Sequence, residues 1–189
     1  MSQQDSPCAI KTKKKLAAAL KELMKNTTFD KITISDITEK CNVHRQTFYY
    51  HFQDRYELLD WVFLNEIIEP FITDFNIDNM YEKFYNMFET MMESKKFYQN
   101  ALKTNGDDLT RYISKVTSDQ FMEVLANISK ESGFNRIDDG DDFLMSEFFG
   151  YGISGVVMNW ALRGMKESPK SITERIERLF ENVKKFSDK

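Results

Sequence analysis

The fold of this 189-residue chain is decided by residues 33–52, which read TISDITEKCNVHRQTFYYHF. Thr33 and Asp36 have the spacing of a capping box and predict a helix that begins at Thr33. Only residues 41–43 separate this helix from a second one, and Asn42 suits such a tight break because Asn tolerates the left-handed backbone conformation. Two short helices joined by a three-residue turn form a helix-turn-helix pattern.

The second helix of this pattern, residues 44–52, has one apolar face and one polar face. Phe48 and Phe52 are four residues apart and are expected to face the core. The opposite face and its flanks then carry Arg45, Gln46, Thr47, Tyr49, Tyr50 and His51. An arginine can hydrogen-bond to guanine, a glutamine to adenine, and a threonine methyl can contact thymine, while Tyr and His suit phosphate contacts. None of these side chains is acidic, so this face predicts recognition of double-stranded DNA.

The distribution of charge supports the same interpretation. Residues 1–56 contain ten basic and six acidic side chains, a net charge of +4, whereas residues 57–189 contain 16 basic and 24 acidic ones, a net charge of −8. Such an asymmetry is typical of a chain in which one part meets a polyanion. The alternative of another class is a helical protein-interaction module that does not bind DNA.

Residues 32–59 resemble the DNA-binding signature of TetR-family transcriptional regulators. The positions that carry the resemblance are Thr33, Phe48, Tyr49, His51, Phe52, Arg55, Leu58 and Leu59. The resemblance implies an all-α fold, with an N-terminal three-helix helix-turn-helix DNA-binding domain in residues 1–55. It implies an effector-sensing and dimerisation domain, a helical bundle, in residues 56–189. His44 departs from the signature, because a small hydroxyl residue usually caps the recognition helix there.

The resemblance also assigns roles in DNA binding. It implies that Thr33, with the helix start behind it, and Arg55 hold phosphates, which agrees with the affinity of helix N-termini for anions. Ser35 belongs to the same predicted set. The resemblance places four side chains in or beside the major groove and two on the DNA backbone: Arg45, Gln46, Thr47 and Tyr50, and then Tyr49 and His51, respectively.

The rest of the chain shows further helical stripes of apolar residues. They cover residues 56–70, 81–93, 109–128, 141–165 and 172–186, and Pro70 is expected to end or kink the first. The most apolar stripe, 141–165, contains Gly150, Gly152 and Gly155, and these three glycines predict a close approach of another helix. In the resembled family the last two helices of each subunit form the dimer interface, for which the candidates here are Gly150, Ser154, Met158, Ile176, Phe180 and Val183. A homodimer could read a palindromic operator.

Two hypotheses describe how the second domain is controlled. In the first, a small-molecule effector binds a pocket lined by aromatic and Met side chains, with Trp61, Phe84, Phe88, Met91, Phe121, Phe149 and Trp160 as candidates. In the second, the domain receives a protein co-regulator, because residues 45–54 and 58–63 also resemble the branch that includes activators of dihydroxyacetone-kinase operons. The sequence leaves this choice open.

The sequence disfavours several other kinds of site. Cys41, His44 and His51 have no fourth zinc ligand nearby, and there is no phosphate-binding glycine loop or nucleophile elbow. Both histidines lie in the helix-turn-helix pattern, so the rest of the chain has no histidine for general acid–base catalysis. We therefore expect no enzyme, no metal and no cofactor. Residues 1–7 lack the apolar segment of a signal peptide and no membrane span is expected, so we expect a cytoplasmic protein.

Overall fold

The computed structural model of the chain describes residues 6–76, 78–104, 110–119, 122 and 139–187, without the side chains of 139–142 and 180–187. This described part consists of helices and their connections and contains no β-strand. The all-α prediction is therefore confirmed. None of the helices within the described ranges is long and apolar enough to cross a lipid bilayer.

The N-terminal unit, residues 6–54, packs three α-helices and one 3₁₀ turn around a small core. Its elements are α1 (Pro7–Leu23), the 3₁₀ turn (Phe29–Lys31), α2 (Ile34–Lys40) and α3 (Arg45–His51). The α1 helix begins with a proline in its first turn, and the hydroxyl of Ser6 accepts a hydrogen bond from the Ala9 N–H. The side chains shared by this core are fully buried: Leu16, Leu20, Phe29, Ile37 and Phe48.

A bent helical segment leads from the N-terminal unit into the rest of the chain. It consists of α4 (Arg55–Phe63), a π-helical turn (Leu64–Ile68) and α5 (Glu69–Ile72). Pro70 does not end this helix, which continues to Ile72. A proline ring crowds the carbonyl four residues before it, and here that carbonyl belongs to Glu66, inside the wider π turn. The distortion expected at Pro70 therefore lies just before it.

The C-terminal part adds five helices, of which α6 packs directly against α5 and the π turn. They are α6 (Met80–Glu93), α7 (Lys95–Thr104), α8 (residues 110–119), α9 (Asp139–Leu162) and α10 (Pro169–Ser187). The α10 helix packs along α6, and α9 packs against α7. An aromatic contact joins α6 to α9, where the ring centroids of Phe88 and Trp160 lie 4.9 Å apart. Phe84 and Phe88 are buried in this core.

One face of α9 packs closely against α8. A Cβ atom added to Gly150 would lie 2.6 Å from the Cα of Ser118, so only glycine fits there. The predicted close approach of another helix is thus confirmed at Gly150, where the neighbour belongs to the same subunit, but no described residue of this chain comes close to Gly152 or Gly155. Ser154 and Met158 are also buried inside the subunit. These three residues, assigned from the sequence to the dimer interface, instead pack within their own chain and are not available to a partner.

The opposite face of α9 is exposed and apolar. Its large side chains include Phe148 at 73% exposure and Leu144 at 63%, together with Tyr151 and Leu162. Phe143 and Val156 are also exposed on α9. A Cβ atom added to Gly152 or Gly155 would have no neighbour within 4 Å. Because α9 is apolar on all sides, its sequence could not indicate which face is covered. Of the other predicted interface residues, Ile176 is half-buried, and the side chains of Phe180 and Val183 lie outside the described residues.

Candidate nucleic-acid interface

The start of α2 is fixed by a reciprocal capping box. The Asp36 N–H donates to the Thr33 hydroxyl oxygen at 3.2 Å, and the Thr33 N–H donates to a carboxylate oxygen of Asp36 at 2.7 Å. The Thr33 hydroxyl also donates to that oxygen at 2.8 Å. These bonds, first that from the Thr33 N–H, lower the pKa of the Asp36 carboxyl. The predicted box is therefore present. Thr33 is exposed, while Ser35, two residues further on, is half-buried.

The turn between α2 and α3 has the geometry expected from its sequence. Asn42 has a φ of 53°, in the left-handed region, so the prediction made for this residue is confirmed. The N–H of Val43 donates to the carbonyl of Thr38 at 2.9 Å, which closes the turn. Val43 itself packs against the core. The turn therefore sets the direction in which α3 leaves α2.

The two faces of α3 differ sharply in exposure. Phe48 is 0% exposed and Phe52 is buried beside it, with 5.9 Å between their ring centroids. Tyr50 is 83% exposed and Tyr49 is 51% exposed. Arg45 and Gln46 are also exposed, and Thr47 and His51 are half-buried at the flanks. The structure thus brings the six predicted residues of α3 to one surface, anchored by two buried rings.

Two side-chain contacts connect residues on this surface of α3. A guanidinium N–H of Arg45 donates to the Tyr49 hydroxyl at 3.5 Å, one helical turn away, and the Tyr50 and His51 rings meet edge to face at 5.0 Å. His44 occupies the N-cap position with extended backbone but its side chain makes no capping hydrogen bond. The first turn of α3 is therefore held by its backbone alone, where Thr47 donates to the His44 carbonyl at 2.9 Å.

Arg55 has a structural role that the sequence did not indicate. One guanidinium nitrogen donates to the carbonyls of Phe29, Asp30 and Ile32 at 2.8, 2.9 and 2.6 Å. The guanidinium also lies 4.9 Å from the centroid of the Phe29 ring. Arg55 therefore fastens the segment before α2 to the start of α4. Its contact with a DNA phosphate remains a prediction, which would have to use the other nitrogens.

The C-terminal part contains an apolar cavity of about 40 Å³, which is lined by residues of α4 to α9. Ser154 lines it, and its hydroxyl oxygen is buried with no hydrogen-bond partner among the described residues. Of the predicted effector-pocket residues that the structure describes, only Met91 lines this cavity. Phe84, Phe88 and Trp160 pack in the surrounding core, and the Trp160 ring N–H donates to the Glu167 carbonyl at 3.0 Å.

The remaining pocket candidates lie elsewhere. Trp61 is half-buried beside the N-terminal unit, where its ring meets Phe52 at 6.1 Å. Phe149 is half-buried on α9, next to Phe148. Phe121 lies outside the described residues. The structure therefore does not bring the seven candidates together into one pocket. The described residues also contain no group of three or more His, Cys, Asp or Glu arranged to hold a metal ion.

The short helix pair, its exposed donor-rich helix and the helical bundle behind it define a helix-turn-helix DNA-binding protein. The family model described as bacterial regulatory proteins, tetR family, matches residues 16–62, and a model described as a transcriptional regulator C-terminal region matches residues 78–182. The chain belongs to the TetR family of transcriptional regulators. It is therefore a DNA-binding regulator and not an enzyme.

Individual relatives agree with this assignment. The chain is 33% identical over 91 residues to the HTH-type dhaKLM operon transcriptional activator DhaS of Lactococcus lactis subsp. lactis (strain IL1403). That match covers 48% of this chain and about half (49%) of the curated relative. Among solved structures, the dihydroxyacetone kinase operon activator DhaS has a TM-score of 0.72 at 22% identity, covering 94% of this chain and 98% of the other. The fatty acid degradation regulator FadR from Bacillus halodurans has a TM-score of 0.56 at 15% identity, with 94% and 96% covered. Both structural matches show the shared fold.

Proposed function

We propose that the protein binds a palindromic operator as a homodimer through its recognition helix, residues 44–52. The observation that carries this proposal is the exposed, acid-free face of α3, held in place by the buried rings of Phe48 and Phe52. A short helix anchored in this way can enter the major groove, and a two-fold dimer presents two such helices to two half-sites.

Within this proposal the residues of the N-terminal unit divide into two sets. Arg45, Gln46, Thr47 and Tyr50 contact base edges or lie beside them, because their side chains combine donors, acceptors and a methyl group suited to the groove. A second set fixes the register on the sugar-phosphate backbone: Thr33, Ser35, Tyr49, His51 and Arg55. Residues 1–55 form the DNA-binding domain and residues 56–189 the sensing and dimerisation domain.

The exposed face of α9 supports the homodimer. Phe148 and Leu144 project into solvent, and large exposed apolar patches mark interaction sites. We expect Phe148→Glu to produce a monomer in sedimentation velocity experiments, because a carboxylate at the centre of the interface would be desolvated. Tyr151→Glu should act in the same direction. A dimer that persists in both variants at micromolar concentration would contradict the use of this face.

Control of the operator-bound state has two candidate forms. The first is a small-molecule effector bound in the C-terminal domain. The second is a protein co-regulator, which would make the protein an activator of a dihydroxyacetone-kinase-type operon, the role that the name of its curated relative states for that relative. The cavity of about 40 Å³ favours the second form, because drug-sized ligands occupy pockets of roughly 300–1,000 Å³. A small molecule that raises the melting temperature would favour the first.

Footprinting on the DNA that flanks its own gene tests the proposed DNA binding. The affinity for the protected fragment should fall steeply with salt, because bound phosphates release counterions. Arg45→Ala should cost about 1–3 kcal/mol on the operator and much less on random DNA. Arg163→Ala, at an exposed position of the C-terminal part, provides the matched control. Absence of any salt-dependent binding would favour a helical interaction module instead.

A further inference from the structure

A wide groove separates α1 from the beginning of α7. Its volume is about 810 Å³, and the side of α4 and the π turn form its floor. We call it the α1–α7 groove. The α1 helix contributes Lys14 and Lys21 to its lining, the turn that follows α1 contributes Lys25, and α7 contributes Lys95 and Lys96. Five lysines on one surface are notable in a chain whose net charge is −4.

Two of these lysines are already paired. Lys21 lies 2.6 Å from a carboxylate oxygen of Glu66, and Lys25 lies 2.5 Å from one of Glu22. For the other three, Lys14, Lys95 and Lys96, no carboxylate of the described residues lies within ion-pair distance. The unpaired charges therefore stand on both sides of the groove, and no acidic group of the described chain offsets them at contact distance.

The floor of the groove is partly apolar. Trp61 is half-buried there, so part of its ring remains accessible, and Phe97 and Ala17 lie beside it. Tryptophan is one of the residues that contribute most binding energy at protein interfaces, because its ring buries a large area at low cost in conformational entropy. The groove thus combines cationic rims with an aromatic floor.

We propose that the α1–α7 groove is the docking site for an acidic segment of a partner protein. Carboxylates of the segment would face Lys14, Lys95 and Lys96, and an apolar side chain between them would cover Trp61. This inference rests on the second form of control given above, a protein co-regulator. It names the surface of this chain that the co-regulator contacts and the chemistry of the contacting segment.

The lining favours a protein segment over a nucleic acid. Three glutamates lie among the lysines, namely Glu22, Glu66 and Glu93, and they would repel the closely spaced phosphates of a polynucleotide. A protein segment can place its carboxylates opposite the lysines and neutral side chains opposite the glutamates. The volume is also far larger than an inorganic anion requires.

Occupation of the groove would affect both parts of the molecule. Lys14 and Ala17 belong to α1 of the N-terminal unit, whereas Lys95 and Lys96 belong to α7 of the C-terminal part. A segment bound across the groove would therefore hold these two parts in one relative position. Binding energy that differs between two positions shifts the population towards the better-bound one.

The test uses the full-length protein and a fluorescein-labelled synthetic peptide of about ten residues, rich in Asp and Glu with one central Leu. The same peptide with Asn and Gln in place of the acids is the neutral probe.

Fluorescence anisotropy is measured with the wild type and with the groove variant, which carries Lys14→Glu, Lys95→Glu and Lys96→Glu. A matched variant carries three charge reversals on lysines outside the groove lining: Lys103→Glu, Lys115→Glu and Lys166→Glu. Acids at the start of α7 are compatible with its helix dipole, so the groove variant should fold.

The acidic peptide should bind the wild type and the matched variant with similar affinity, and the groove variant at least about tenfold more weakly. In a Trp160→Phe background the emission of Trp61 should change when the acidic peptide binds, which a peptide attached only to the rims would not cause. Equal binding of the acidic and neutral peptides, an unchanged Trp61 emission, or equal losses in the two triple variants would each overturn the proposal.

Operator affinity is measured in parallel on the same preparations. The groove variant should keep its operator affinity within about twofold of the matched variant. A loss of operator binding as large as the loss of peptide binding would assign the groove to DNA and overturn the proposal. Failure of the wild type to bind any operator fragment, with peptide binding as expected, would instead refute the proposed operator binding and leave the groove assignment standing.

Discussion

The side-chain nitrogen of Asn100, in α7, lies 2.7 Å from the carbonyl oxygen of Thr27, in the segment that joins α1 to α2. The same nitrogen donates to the carbonyl of Met24 at 3.1 Å, and the side-chain oxygen accepts from the N–H of Phe29 at 3.2 Å. One amide of the C-terminal part thus satisfies three backbone groups of the N-terminal unit. The two parts of the chain are therefore joined by directional bonds as well as by apolar packing.

Replacement of Asn100 by Ala should destabilise the protein by about 1–3 kcal/mol, because it leaves partly buried backbone groups without partners. Urea denaturation followed by circular dichroism measures this loss. Asn86→Ala, at an exposed position of α6, is the control and should have little effect. Equal stabilities of the two variants would show that water replaces the amide without cost.

Replacement of Tyr50 by Ala should weaken operator binding while leaving stability nearly unchanged, because the Tyr50 ring is almost fully exposed. Replacement of Phe48 by Ala should instead lower the free energy of unfolding by about 3–5 kcal/mol, because it leaves a cavity in the core. Thermal melting and operator titration of both variants separate these effects. A Tyr50→Ala protein that unfolds much more easily than the wild type would contradict the assigned orientation of α3.

The N-terminal unit was largely predictable from the sequence for a physical reason. Capping boxes, a left-handed Asn and an i, i+4 aromatic pair act within a few residues, so the chain carries their signals locally. The roles of Arg55 and Asn100 left no such signal. Each side chain bonds to backbone carbonyls more than 20 positions away in the chain, and any residue type can supply a carbonyl.

The α9 helix was harder to interpret for a different reason. Its apolar residues surround the whole helix, so their periodicity does not distinguish the covered face from the exposed one. Gly150 and Ser154 were assigned to a dimer interface from the family resemblance, but contact with α8 explains Gly150. The predicted effector pocket failed to assemble for a related reason, because aromatic residues that fill a core have the same pattern as residues that line a cavity.

Asp60, on α4, should make stability depend on pH. Burial, with smaller contributions from the carboxylates of Asp54 and Glu57, raises the pKa of Asp60 to about 6 in the folded protein, from 3.8. The folded state therefore binds the proton more tightly than the unfolded state does, and stability falls as the pH rises from about 4 to about 6 and then stays level.

The substitution Asp60→Asn removes this dependence. The variant should match the wild type near pH 4 and exceed its stability above pH 7 by on the order of 1 kcal/mol, since solvent screening of this half-buried group reduces the effect. Urea denaturation between these pH values measures the difference, with Asp78→Asn at an exposed position as the control. A constant difference across the whole range would contradict a titration of Asp60.

Gly150 and Gly155 should respond in opposite ways to replacement by Ala. At Gly150 the new methyl group would meet the backbone of Ser118 at 2.6 Å, so we expect a loss of about 1–3 kcal/mol. At Gly155 nothing in the same chain lies within 4 Å, so in the Phe148→Glu background, which we expect to be monomeric, the higher helix propensity of Ala should add about 1 kcal/mol. Thermal unfolding at equal protein concentration compares them. Similar melting temperatures would show that α8 and α9 separate readily.

The hydrogen bonds from Arg55 to the segment before α2 have a mechanical consequence for the regulator. Since one guanidinium ties the segment before α2 to the first turn of α4, the N-terminal unit and α4 form one lever. Rotation of this lever must also shift α7, to which Asn100 bonds the same unit. The nine residues of α4 give this lever a length of about 14 Å up to the π turn, so a rotation of about 10° at that pivot would displace its tip by roughly 2 Å. In a dimer both N-terminal units would move, so the rotation would change the distance between the two recognition helices and hence the half-site spacing that they fit.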